Sequence, residues 1–172
     1  YFFDSIAPVV MADSLEEEFL FAKNRWDKGT GDGRPPDFIN VPLDKAQYEA
    51  FVEALVAADT VEPKPFEKGQ LFEGCLPVEE MARRGIDTLR YGPMRPVGLM
   101  DPRTGKVPHA VIQLRAENAQ RSLYNLVGFQ TRLKWGTQKD ILTQIPGLRT
   151  AQFARFGAMH RNTFLDSPRV LD

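Results

Sequence analysis

A chain of 172 residues is long enough for one domain with a real core, or for one domain plus part of a second. It is 42% hydrophobic and 26% charged, and no apolar run approaches the ~20 residues that a membrane helix needs, which excludes a helical span. Net charge is −1, but residues 1–75 carry 7 Lys+Arg against 15 Asp+Glu while residues 76–172 carry 15 against 8. That asymmetry fits either two solvated faces that balance each other or a basic surface for a polyanion such as RNA. The single cysteine, Cys75, rules out an internal disulfide, and no charged-then-apolar leader opens the chain, so a reducing, cytoplasmic compartment is expected. The first residues, YFFDSIAPVV, read like the interior of a longer polypeptide.

In chain order, Ser14 stands three residues before Glu17 in ADSLEEEFLFAKNRWDKG, a capping-box spacing that predicts a helix of about three turns stopped at Lys28-Gly29. The alternating glycines of GTGDGRPPD invite a phosphate-loop reading. No apolar strand precedes them and Pro35-Pro36 stands where a helix should follow, so a surface loop is predicted. FINVPL then reads as a strand, and Asp44 caps an amphipathic helix with Tyr48, Phe51, Val52 and Leu55 on one stripe. After the connector VEPKPFEKG, LFEGCLPVEEMARRG predicts a short helix with Pro77 at its first position and Gly85 at its end. MRPVGLMDPRTGKVPHAVIQLRAE reads as a hairpin around DPRTG, SLYNLVGFQT as a further strand, LKWGTQKDILTQIPG as a helix, and AQFARFGAMHRNTFL as a strand. Hairpins interrupted by separate helices predict an α+β fold, an antiparallel sheet with flanking helices. There is no internal repeat and no low-complexity segment.

The candidate chemistry begins at Cys75, two residues before Pro77 and ahead of a predicted helix start, where unpaired N–H groups favour thiolate over thiol. A free cysteine is also a common buried hydrophobe, and spacing alone leaves both readings open. His109 and His160 are the only histidines, and one Cys with two distant His makes no metal site by spacing. A Cys-His hydrolase pair cannot be tested by spacing. His160, Arg161 and Asn162 follow an aromatic-rich strand and suit hydrogen bonding to a flat ring or an anionic tail, or form an ordinary strand-end loop. Arg83, Arg84, Arg90, Arg95, Arg103, Arg115, Arg121, Arg132 and Lys134 alternate with Tyr91, Tyr124, Phe129 and Trp135. Such a mixture can track phosphates and stack bases, or belong to hairpins with one buried face.

The runs FEGCLPVEEMARRGIDTLRYGPMRPVGLMDPRTGKVPHAVIQLRAEN, LYNLVGFQTRLKWGTQKDILTQIPGL and RFGAMHRNTFLDSPRVL are long and in order. Through them the chain resembles the folate- and flavin-dependent tRNA (uracil-5-)-methyltransferases, relatives of the glucose-inhibited division protein A group. The resemblance implies a part of an enzyme that forms 5-methyluridine in the T-loop of tRNA, with methylenetetrahydrofolate as carbon donor, reduced FAD as hydride donor and NAD(P)H as reductant. A non-catalytic RNA-binding or assembly module is the alternative for the isolated chain. The resemblance implies an insertion domain of a Rossmann-type FAD protein: residues 1–12 continuing from an FAD domain, 13–150 the insertion, 151–172 returning to it. FAD would be held mainly by the rest of the polypeptide, and the chain alone is expected to be inactive. Carried over by motif, the resemblance makes Cys75 in EGCLP one of two functional cysteines, and His160, Arg161 and Asn162 in MHRNTF the candidates in the segment that returns to the flavin and folate pocket. Arg83, Arg84, Arg90, Arg95, Arg115, Arg132 and Lys134 are the candidate tRNA contacts. The expected partners are tRNA, folate and the rest of the polypeptide, with no membrane and no metal.

Overall fold

The computed structural model describes residues 2–31, 33–61 and 76–162. Its elements form an α+β fold. Strands β1 (Phe2–Ile6), β2 (Val9–Met11), β3 (Phe21–Ala22) and β4 (Phe38–Leu43) precede helix α1 (Lys45–Ala57) and helix α2 (Val78–Arg83). Then come β5 (Ala110–Ala116), β6 (Leu123–Leu126), helix α3 (Trp135–Leu142), β7 (Phe153–Arg155) and β8 (Ala158–Asn162). Six strands form one antiparallel sheet in the order β3-β4-β5-β6-β2-β7, while β1 and β8 pair separately. Among the described residues no helix is long and apolar enough to cross a membrane.

The middle of the sheet is built from its own sequence pattern. β4 and β5 pair over six residues, from Phe38 opposite Arg115 to Leu43 opposite Ala110. Val41, Leu43, Ile112 and Leu114 are sealed into the core. The stripe of α1 packs against this face with Tyr48, Phe51, Val52 and Leu55 buried as predicted, and Phe51 lies 6.0 Å from Phe129. Asp44 caps the helix: its carboxylate accepts from Gln47 N at 2.8 Å, and the Gln47 amide oxygen accepts from Asp44 N at 2.8 Å. At the sheet edge the buried amide of Asn40 donates to the carbonyls of Phe21 (3.1 Å) and Lys23 (2.9 Å), tying the two-residue strand β3 to β4.

Four sequence expectations change. Residues 12–28 are not a three-turn helix but short 3-10 turns, Ala12–Ser14, Glu17–Phe19 and Arg25–Asp27, with β3 among them. The Ser14 hydroxyl donates to Met11 O (2.6 Å) and accepts from Gln152 N (2.8 Å), and the Glu16 carboxylate accepts from Gly147 N (2.8 Å). Partners more than a hundred residues away thus replace the helical ladder that the local spacing favours. Second, DPRTG does form a turn, closed by the bridge Asp101–Lys106, but the arm before it is turns rather than a strand, leaving β5 as the strand of that hairpin. Third, the 151–162 segment breaks into β7 and β8 at Gly157. Gly157 is forced by close packing: a Cβ there would meet Thr131 Cγ2 at 2.5 Å and Ile6 O at 2.9 Å. Fourth, Pro77 precedes α2 as its N-cap rather than occupying the first helical position. The glycine loop is exposed at Gly29, Gly31 and Gly33, in keeping with a surface loop.

Candidate catalytic segment and nucleic-acid surface

Cys75 lies outside the described residues, but the helix that follows it does not float. Val78 N donates to Gln130 O at 2.7 Å. Behind it Glu79, wholly buried, accepts from the Thr131 hydroxyl (2.8 Å) and from Arg132 N (2.8 Å). A buried carboxylate is costly unless its lone pairs are filled, and here two donors from one segment fill them. On the other side, Val61 N donates to Arg132 O (2.9 Å) and Thr60 bridges Leu133. The residues that lead into and out of 62–75 therefore return to the same short segment, 130–133.

That segment continues into α3, whose buried Gln138 ties it to the start of β8. The Gln138 amide donates to Leu133 O (2.7 Å) and Gly157 O (2.8 Å) and accepts from Gly157 N (2.7 Å). β8 carries His160, Arg161 and Asn162, whose Cα partners on β1 are Asp4, Phe3 and Phe2. The α2 entry and the start of β8 are thus braced through Thr131, Leu133 and Gln138.

The basic candidates fall into two groups. Arg83 (2.7 Å) and Arg132 (2.9 Å) both pair with Glu80, and the Arg132 side chain is largely covered, with a buried Nε that lacks a hydrogen-bond partner. Arg90 Nε donates to His109 O (2.7 Å), and its main-chain N donates to the Tyr48 hydroxyl (3.0 Å). Arg84, Arg95, Arg115 and Lys134 are exposed. Arg103 is spent on Asp101, with contacts of 2.6 and 3.0 Å, and Arg121 donates to Pro36 O (2.6 Å). The aromatics divide likewise: Tyr124 and Phe129 are core, whereas Tyr91 and Trp135 are 75% and 63% exposed.

His109 lies at the rim of an open cleft of about 550 Å³ that includes Asp44, Lys45, Asp101, Arg103 and Lys106. Its ring tilts against Tyr48 at 5.3 Å. Burial first, then the nearby charges of Arg90 and Lys45, hold its pKa below the ordinary histidine value. Hydrogen bonds from Arg103 hold the Asp101 carboxyl below the usual carboxylate range, against the opposing effect of burial. Among the described residues no group of three or more His, Cys, Asp or Glu could hold a metal ion.

Glu79 and Gln138 were not singled out in the sequence. A signal existed for Gln138, which shares the i, i+3, i+4, i+7 stripe with Ile141, Leu142 and Ile145 and so faces the core. Glu79 reads locally as a first-turn acid suited to the helix dipole, and only its tertiary donors reveal its burial.

The whole chain, residues 1–172, matches the family described as Glucose inhibited division protein A. It is 58% identical over 171 residues to the methylenetetrahydrofolate–tRNA-(uracil-5-)-methyltransferase TrmFO of Citrifermentans bemidjiense, covering 99% of this chain and 38% of that protein. The same-named proteins of Pelobacter propionicus and Geobacter sulfurreducens are 60% identical over 171 residues (99% of this chain, 37% of that protein) and 55% identical over 172 residues (100% and 39%). The chain thus spans somewhat over a third of the length of these relatives. Among solved structures, GidA of Aquifex aeolicus superposes with a TM-score of 0.51 at 13% identity, over 92% of this chain and 23% of that one, a likeness of fold.

Proposed function

Because the chain belongs to the glucose-inhibited division protein A family, and matches the methyltransferases within it at 55–60% identity in the relatives above, we propose that it is part of a folate- and FAD-dependent tRNA (uracil-5-)-methyltransferase. The observation that carries the reading is near-complete coverage of this chain by proteins of that name. Residues 13–150 are the insertion domain, and residues 1–12 and 151–172 connect it to an FAD domain in the rest of the polypeptide. The antiparallel pairing of β1 with β8, outside the six-stranded sheet, supports an outgoing and a returning connection.

The described residues contain no glycine-rich turn joining a strand to a helix N-terminus, the arrangement that cradles a dinucleotide pyrophosphate. That is in keeping with the reading that the flavin is held mainly by the rest of the polypeptide. When bound, methylenetetrahydrofolate supplies the one-carbon unit and reduced FAD the hydride, with NAD(P)H as the reductant. This chain contributes a thiol. Uracil C5 is a poor nucleophile until a thiolate adds at C6; the C5=C6 π pair then moves onto C5 and the C4 carbonyl as an enolate, and C5 can attack an electrophilic carbon. Cys75 is one of the two thiols such chemistry uses, either the one that adds to C6 or the one that assists transfer. His160, Arg161 and Asn162 contribute to the flavin and folate pocket.

The tRNA surface draws on Arg84, Arg95, Arg115 and Lys134, exposed members of the basic set; Arg83 is exposed as well but pairs with Glu80. Arg83, Arg90 and Arg132 reach the RNA only if they give up the contacts above, so they rank behind. Compartment and reductant follow from the same reading: a cytoplasmic enzyme acting on cytoplasmic tRNA. The test uses the intact protein, unmodified tRNA and methylenetetrahydrofolate, with 5-methyluridine measured by nucleoside analysis. Formation that requires folate supports the reading, and a product made only with S-adenosylmethionine, or no product at all, contradicts it.

A further inference from the structure

At the start of α3 the fold displays three stacked aromatic rings. Phe153 of β7 and Phe156 of the β7–β8 turn lie 4.9 Å apart at 15°, and Phe156 and Trp135 lie 5.8 Å apart at 14°. Offset stacking of near-parallel rings is the favourable arrangement, and Phe156 is the middle ring. The inner end is anchored, since Phe153 packs against the main core and Gly157, next to Phe156, is gripped by Gln138. The outer end is open, since Trp135 remains 63% exposed.

The surroundings are cationic. Lys134 precedes Trp135 and Arg155 precedes Phe156, both exposed. Lys134 cannot accept a capping bond, no side chain caps α3, and the first main-chain bond of the helix is Gln138 N to Lys134 O. Beside the outermost ring, a Cβ placed on Gly136 would meet nothing within 4 Å, so the approach is unobstructed. A flat ring joined to a phosphate matches both features, the π-face and the charge.

We propose that the Trp135–Phe156–Phe153 stack is a docking platform for an unpaired base of an RNA loop, with Trp135 taking the base and Lys134 the adjoining phosphate. The proposal rests on the reading of the chain as part of a tRNA-modifying enzyme and specifies where in this chain a loop nucleotide docks.

The experiment measures affinity of the intact protein for unmodified tRNA by fluorescence anisotropy at several salt concentrations. Trp135→Ala is expected to raise Kd by about 5- to 150-fold, the range for loss of one base–aromatic stack, with little change in salt slope. Trp135→Leu, which keeps apolar bulk but no π-face, should bind as weakly, and Trp135→Phe should recover most of the affinity. Lys134→Ala should instead flatten the plot of log Kd against log salt by about 0.7, one single-strand phosphate. Unchanged affinity in Trp135→Ala and Trp135→Leu overturns the platform. If in addition they lose flavin or thermal stability, the stack is a seat for the rest of the polypeptide. Absence of tRNA binding by the unaltered protein overturns both the platform and the functional reading, whereas normal binding insensitive to Trp135 overturns the platform alone.

Discussion

Ser14 and Asp44 each stand three residues ahead of a glutamate or glutamine, yet only Asp44 starts a helix. Behind Asp44 runs an apolar stripe at helical spacing that one sheet face can bury whole. Behind Ser14 the apolar residues Leu15, Phe19, Leu20 and Phe21 have no such common face. Leu20 and Phe21 are buried in different clusters, and Gly147, at φ +99°, lets Leu20 Cδ2 approach to where a Cβ would stand, 2.6 Å away. A capping signal starts a helix where the stripe behind it agrees; where it does not, distant polar partners take the same side chains.

Breaking each region should separate local from distant support. Tyr48→Ala is expected to cost about 3–5 kcal/mol, because it empties a fully buried site on α1 and strands the partners of its hydroxyl, Ile86 O and Arg90 N. Chemical denaturation of the isolated chain measures it. Asn40→Ala should cost about 1–3 kcal/mol, since two inward carbonyls of the 21–23 segment lose their donor, and hydrogen exchange should show the loss concentrated at β3. Equal loss of protection in α1 would contradict that separation.

Smaller effects sharpen the contrast. Asp44→Ala should cost about 1 kcal/mol and reduce far-UV helical signal, whereas Ser14→Ala should leave helicity unchanged, its hydroxyl serving Met11 and Gln152. Helix loss in the Ser14 variant would show that the local signal acts after all. His109 gives the mildest probe. Its folded pKa lies below the unfolded value of about 6.5, so the unfolded chain binds the extra proton first as pH falls. Stability should therefore decline as pH drops below about 6.5, and His109→Gln should flatten that part of the pH profile.

The same contrast explains how much of the molecule could be read in advance. β4, α1, β6 and α3 follow from periodicity, reinforced at α1 by its cap, because their burial is one-sided and local pattern records it. The 12–28 segment and the arm before Asp101 escaped because their partners lie far along the chain. At the candidate site, the composition around Cys75 and the basic run were legible, but composition does not tell a free arginine from a spent one. Only the fold shows that Arg83 and Arg132 share Glu80, that Arg90 holds the His109 carbonyl, and that Trp135 rather than Phe129 is available for stacking.

The central claim is that this chain supplies a working thiol to tRNA methylation. It is tested most directly by Cys75→Ser in the intact protein, following transfer of a labelled one-carbon unit from folate to tRNA. Methyl transfer should fall to background while tRNA affinity and flavin content stay those of the unaltered protein. Turnover at the unaltered rate would remove Cys75 from the chemistry.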